Sequence, residues 1–319
     1  MRIGQNPAKF VKDVAKPSRV TVAVLNYIPF LSGFYSEMDQ VLKMCLNGIA
    51  ETAADVDHDL LVFDNGSCDE IKHYLLDEQA KGRIQYLIFS EKNLGKGGAW
   101  NMILDGAPGD IIAYTDNDCL FSKGWLSKSI EILETYPKTG MVTARPFRTN
   151  PERYTKTLEW AKDNPDVKLE EGQLVPFDVF REFDVSLGQS EEEIKNHYDS
   201  TKDYRLTYKG VSAMVGASHW QFTCYKNVIK QFLPFQMDRP MGQVKQLDER
   251  MNAMGYLRLM PVEPYAMNMS NTVENAAKTI PAEKRASQTQ RKRFADLPPV
   301  KKLLLGAYNR IFHLYYDRS

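Results

Sequence analysis

Apolar runs and helix-spaced apolar stripes alternate through the first 145 residues of the chain. Residues 19–25, RVTVAVL, form a β-branched run that ends at Asn26-Tyr27 and predicts a strand. Phe34, Met38, Val41, Leu42, Cys45, Leu46 and Ile49 recur every three or four positions, which predicts a helix over 34–49. Residues 58–63, HDLLVF, predict a second strand running into the turn Asp64-Asn65-Gly66-Ser67. Ser67 with Glu70 three residues on predicts a capping box for a helix through 80. Lys81-Gly82 stop that helix, and a third strand follows over 83–89. Residues 93–98, NLGKGG, form a glycine-rich turn opening the helix AWNMILDGA. In residues 110–120, DIIAYTDNDCL, the run Ile111 to Tyr114 gives way at Thr115 to Asp116-Asn117-Asp118. A helix through 136 and a strand over 141–144 complete the series.

This alternation implies an α/β fold, a mostly parallel sheet with helices on both faces. In such sheets ligands bind outside the carboxyl ends of the strands. The polar strand ends Asn26-Tyr27, Asp64-Asn65 and Asp116 to Asp118 therefore line one edge. Two carboxylates two residues apart suit hard Mg²⁺ or Mn²⁺, which leave coordination sites for phosphate oxygens. The competing reading is that these aspartates cap the next helix, begun by SKGWLSKSIEIL. Asp64-Asn65 also reads as a plain turn, and Lys96 as a solvated surface cation. Taken together, an aromatic ring, carboxylates, a glycine-rich turn and a lysine suit a nucleoside diphosphate.

Charge narrows the partners. Lys plus Arg and Asp plus Glu both total 41, so net charge gives no argument for nucleic acid. The four cysteines have no paired spacing and read as reduced thiols of a cytoplasmic protein. No run reaches the roughly 18 apolar residues of a spanning helix, and residues 1–18 read as a polar lead-in without signal-peptide character.

Four motifs in order give a resemblance. They are the strand-end pair Asn26-Tyr27, DNGSCD (64–69), NLGKGGAWN (93–101) and DND (116–118). This stretch resembles the nucleotide-sugar-binding half of a family-2 glycosyltransferase with the GT-A fold, over residues 19–145. The resemblance implies that Asp64 accepts a hydrogen bond from the nucleobase, with Tyr27 packed on it and Asn26 and Asn65 beside them. It implies that Asn93, Gly95, Lys96 and Asn101 lie along ribose and phosphates, and that Asp116 and Asn117 approach the ribose or sugar. Asp118, with Asp116, would hold Mn²⁺ or Mg²⁺ bridging the diphosphate of a UDP, dTDP or GDP sugar.

The second half, residues 146–269, reads as the acceptor side. Between 151 and 209 there are 14 Asp/Glu against 9 Lys/Arg, read as a helical insertion with loops over about 150–210. His219 and Trp220 are candidates to contact sugar or acceptor, or else are core residues. Residues 242–254 predict a helix with Val244, Leu247, Met251 and Met254 as its buried stripe. The family places a Glu-Asp pair on this helix; here Gln243-Val244 stand there. Asp248 and then Glu249 are the nearest carboxylates and the candidates for catalytic base. Asn268 stands where the family has a His and is the candidate third metal ligand.

Residues 270–319 form a basic extension with 10 Lys/Arg and 4 Asp/Glu. Its last helical stretch, VKKLLLGAYNRIFHLYYDR, docks on the domain or lies peripherally on an anionic membrane surface. The function expected is metal-dependent, inverting transfer of a sugar to a glycan, lipid-linked or other acceptor hydroxyl, with no nucleic acid involved. The rival readings are a nucleotidyltransferase and a sugar-nucleotide-binding protein without catalysis. NYIPFLSG, with no Arg and one Gly, lacks the glycine- and arginine-rich loop that the nucleotidyltransferase reading wants.

Overall fold

A computed structural model describes residues 4–237 and 243–274. In chain order the elements are β1 (Val20–Asn26), α1 (Met38–Thr52), β2 (His58–Asp64), α2 (Asp69–Ala80), β3 (Tyr86–Phe89), α3 (Gly95–Gly106), β4 (Ile111–Asp116), β5 (Cys119–Phe121), α4 (Trp125–Thr135) and β6 (Thr139–Val142). There follow α5 (Thr155–Asp163), β7 (Lys168–Gly172), α6 (Phe177–Ser186), α7 (Glu191–Ser200), β8 (Asp203–Tyr208), β9 (Val211–Val215), β10 (Gln221–Tyr225), α8 (Lys226–Ile229), α9 (Gln243–Ala253), β11 (Leu257–Met260) and β12 (Ala266–Asn268).

Ten strands form one sheet in the order β3-β2-β1-β4-β10-β6-β11-β9-β8-β7. The pairings set β3, β2, β1, β4, β6, β11 and β8 in one direction and β10, β9 and β7 in the other, so seven of ten run parallel. The expected α/β class with a mostly parallel sheet is observed. Alternate residues of β1 serve opposite faces. Val20, Val22 and Val24 pack with apolar residues of α1, α2 and α4. Ala23 and Leu25 pack with Trp100 and Ile103 of α3, Ile229 of α8 and Leu247 and Met251 of α9. Each such aliphatic or aromatic side chain contributes about 1.5–3 kcal/mol by leaving water.

Several expectations change. The first helix begins at Met38, after a 3-10 turn over Gly33–Tyr35. Phe34 is exposed; its apolar character extends the stripe in sequence but not in space. Ser67 does not cap α2, whose N-cap is Cys68 without a side-chain cap bond. The aspartates after β4 do not cap α4 either, because Gly124 holds that position and β5 intervenes. The insertion is not purely helical. β7 and β8 pair antiparallel and carry the sheet outward through β9. Their charged ladder, Glu170 opposite Arg205, suits an outer strand pair and hides the apolar alternation that signals a strand. On α9, Leu247 and Met251 are buried, but Met254 is exposed. The Val244 side chain and the helical stretch expected after residue 300 lie outside the described residues. No helix among the described residues is long and apolar enough to cross a membrane.

Candidate functional site

Parallel register brings the polar strand ends together. Asn26 stands opposite Asp64, and Leu25 opposite Asp116. Asn26 Nδ2 donates to Asp64 Oδ1 at 2.7 Å and to Ser67 Oγ at 3.0 Å. The backbone N–H of Ser67 donates to Asp64 Oδ2 at 3.0 Å, and that of Ile28 to Ser67 Oγ at 2.9 Å. Asn117 Nδ2 closes the network on Asn26 Oδ1 at 2.7 Å. Asn26, Asp64, Asn65, Ser67 and Asn117 are all buried, and these bonds satisfy the groups that burial would otherwise leave costly. Asp64 thus organises the wall of the cleft from inside it.

The glycine-rich turn is tied to the same wall. Gly66 has φ +93°, and a Cβ on it would lie 3.2 Å from the Asn93 nitrogen, so this close crossing needs glycine. Asn65 Nδ2 donates to Asn93 Oδ1 at 2.9 Å and Asn65 Oδ1 accepts from Leu94 N–H at 2.9 Å. Asn93 Oδ1 also accepts from Gly95 N–H at 2.8 Å. Asn101 faces elsewhere: its side chain holds the Phe235 backbone through bonds of 2.9 and 2.7 Å. Tyr27 is half-buried and meets Tyr35 edge-on with centroids 6.2 Å apart.

Asp116 carries the lysine. Lys96 Nζ is 2.7 Å from its Oδ2, and Tyr114 Oη donates to its Oδ1 at 2.5 Å. The ammonium lies over the Trp100 and Tyr114 rings at 5.6 and 5.8 Å. Asp118 differs. Its carboxylate meets the Cys119 thiol at 3.9 Å and forms no ion pair among the described residues. Its pKa is pushed up to about 7, by burial first and then by the charge of Asp116, with Lys96 pulling the other way. β12 lies beside β5 and sets Asn268 opposite Cys119, while Met269 N–H donates to the Asp118 carbonyl at 2.8 Å. Asp118 and Asn268 are therefore neighbours, and Asn268 Oδ1 accepts from Ser270 N–H at 2.8 Å. Among the described residues no three His, Cys, Asp or Glu side chains form a cage. Two carboxylates with an amide carbonyl are hard oxygen donors, and a carboxylate whose charge is disfavoured by burial and by Asp116 is relieved by a cation. That donor set fits Mg²⁺ or Mn²⁺ completed by phosphate and water.

A second cluster, next to the end of β4 through the bond from Asp116 N–H to the Trp220 carbonyl, is built around charge. Asp248 on α9 is buried, as is Arg258 on β11. Arg258 donates to Asp248 Oδ1 at 2.6 Å, to the Ala217 carbonyl at 2.5 Å and to the Arg153 carbonyl at 2.8 Å. Burial lowers the Arg258 pKa, and Asp248 opposes that shift. Asp248 Oδ2 receives His219 Nδ1 at 3.1 Å, with Arg153 at 3.6 Å. Both Asp248 oxygens are thus engaged, while Glu249 is exposed. Trp220 is taken up by the core, against Phe147 and Phe183. Tyr114, Arg153 and Arg258 were not singled out from sequence, and Ser67 was read there only as a helix cap. Arg258, alone between the apolar residues of LRLM, carries the usable signal: a cation inside an apolar strand must be paired.

The Glycosyl transferase family 2 model matches residues 33–183. An uncharacterised glycosyltransferase of Nostoc sp. is 28% identical over 104 residues, 32% of this chain and 31% of its own. The glycosyltransferase AglE of Haloferax volcanii is 26% identical over 138 residues, 39% of this chain and 45% of its own. The matched chain thus spans less than half the length of these curated relatives. Among solved structures, a mannosyltransferase of Pyrobaculum calidifontis in complex with GDP-Man and Mn²⁺ aligns at TM-score 0.46 and 17% identity, over 77% of this chain and 55% of that one.

Proposed function

We propose that the protein, whose residues 33–183 match the Glycosyl transferase family 2 model, transfers a sugar from a nucleoside-diphosphate donor to an acceptor hydroxyl, by a single inverting displacement. The observation that carries the reading is the crowded pair at the end of β4. Asp116 holds Lys96 at 2.7 Å, and Asp118 two residues on lies beside Asn268 through the pairing of β5 with β12, next to a wall of satisfied amides.

In this reading the base packs along Tyr27 and the network that Asp64 holds rigid. The backbone turn at Asn93 to Gly95 and the Lys96 ammonium face the diphosphate, and Asp116 orients Lys96 toward it. Asp118, Asp116 and Asn268 are the residues to hold Mn²⁺ or Mg²⁺. When bound, such a cation supplies Lewis-acid stabilisation of the charge that builds on the departing diphosphate. The buried floor excludes water from the anomeric carbon, which strengthens the electrostatics there.

A donor panel tests this. UDP-, GDP- and dTDP-sugars are titrated with Mn²⁺ present, and binding is read by thermal shift and by calorimetry. One nucleotide class should bind in a metal-dependent way. Binding of none contradicts the reading. Binding without diphosphate release to any acceptor or to water would leave a sugar-nucleotide-binding protein.

A further inference from the structure

The geometry points to a His219–Asp248 dyad as the proton acceptor of this reaction, with the histidine, and not a carboxylate, touching the acceptor hydroxyl; this rests on the sugar-transfer reading. The backbone puts His219 at the donor cleft. Asp116 N–H donates to the Trp220 carbonyl at 2.9 Å, and Gln221 stands opposite Thr115. His219 is therefore one residue from the strand end that carries Asp116. Gly216 starts this turn with φ +127°, where a Cβ would lie 2.9 Å from Met260 Cε. Its N–H donates to the Arg258 carbonyl at 2.9 Å. Ser218 is pinned on both sides by Thr143, its N–H donating to Oγ1 at 2.8 Å and its carbonyl accepting from Oγ1 at 3.0 Å.

The imidazole then has a defined state. A carboxylate only accepts, so Nδ1, 3.1 Å from Asp248 Oδ2, is the donor. In the neutral ring Nε2 is left with its lone pair. Asp248 cannot take the acceptor proton as directly. Its side chain is 1% exposed against 25% for His219, and its other oxygen belongs to Arg258. The groups facing the dyad are Arg258 from β11 and Arg153 from the turn before α5. The arrangement is the one in which an aspartate fixes the tautomer and balances the imidazolium that forms.

In the step itself the acceptor oxygen forms a bond to the anomeric carbon as its proton passes to His219 Nε2. The bond from the anomeric carbon to the diphosphate oxygen breaks, and its electron pair leaves with the diphosphate. His219 becomes an imidazolium beside the Asp248 carboxylate and later gives the proton to solvent.

Two measurements on the full chain test this. The first reads the ring tautomer in two-bond ¹H–¹⁵N spectra of ¹⁵N-labelled protein at pH 8, with His219→Gln used to assign the signal. The expected neutral form carries its proton on Nδ1, and Asp248→Asn should change it. A proton on Nε2 in the wild type overturns the dyad without any substrate. The second follows diphosphate release to water from UDP-, GDP- and dTDP-glucose with Mn²⁺. His219→Ala should lower kcat by at least ~10²-fold, leave donor KM within about twofold, and recover with free imidazole. Thermal melting checks that the variant is folded. Equal rates in His219→Ala and wild type overturn the base while leaving the transferase reading intact. No release from any donor by the wild type overturns both.

Discussion

The two polar clusters at the end of the sheet are made differently. The network at the ends of β1 and β2 is assembled from neutral amides and a hydroxyl around one carboxylate, Asp64, which among the described residues has no cation in hydrogen-bond contact, while Asp116 beside it on β4 carries Lys96. The opposite side, at β10, β11 and α9, is assembled around a buried ion pair, Arg258 with Asp248, and the part-exposed imidazole of His219. A network whose buried groups are all satisfied by fixed amides and a hydroxyl holds one shape, which suits recognition of a fixed partner. A buried ion pair is costly to desolvate and gains its worth only when complete, which suits a place where a proton must move. The wall would then recognise the nucleotide while the ionic side handles the acceptor, and substitutions on each side should fail in different ways.

The largest stability effect belongs to the ionic side. Arg258→Met leaves Asp248 buried without its main partner and should cost about 3–5 kcal/mol, read as a lowered midpoint in urea. An unchanged midpoint would mean that water already reaches Asp248. The double variant Arg258→Met with Asp248→Leu should recover much of the loss, since apolar replacement of a buried pair is often neutral. On the neutral side Asp64→Ala strands Asn26 and Ser67 and should cost about 1–3 kcal/mol, with donor KM raised more than kcat is lowered. A pure loss of kcat would move Asp64 out of the recognition wall.

Legibility followed the same division. The wall could be read because each member sits in a short local motif at the end of an apolar run: Asn26, Asp64, Asn93 and Asp116 come from four strand or turn ends that parallel pairing must align. Its errors were local too, as with Ser67, whose hydroxyl serves Asn26 and Ile28 rather than α2. The ionic side draws on positions 153, 219, 248 and 258, from four separate elements. No local pattern joins them, so sequence marked Asp248 as a carboxylate without revealing that Arg258 and His219 hold it. Asn101 illustrates a third case. Its place in the glycine-rich motif points at the donor, yet the side chain clamps Phe235.

Smaller effects sharpen the contrast. Asn101→Ala should cost about 1–2 kcal/mol through two lost bonds to the Phe235 backbone, visible as a shift in melting temperature. The pH response separates Asp118 from the neutral wall. Its folded pKa is raised from the ordinary aspartate range to about 7, so between those values the folded state holds a proton that the unfolded state has released. Stability therefore falls as pH rises through that window. A cation must displace the same proton, so Mn²⁺ should raise the melting temperature more at pH 8 than at pH 6. An equal shift at both pH values would remove Asp118 from the metal site.

The central claim is that the carboxylates after β4 serve a nucleoside-diphosphate donor. Its most direct measurement is diphosphate release from the donor found to bind, in wild type and Asp118→Asn, with Mn²⁺ present. Asn keeps the shape of the side chain and removes its charge, and Lewis-acid assistance of several kcal/mol corresponds to at least ~10²-fold in rate. The account predicts release by the wild type and a loss of that size in Asp118→Asn; equal release by the two proteins would contradict it.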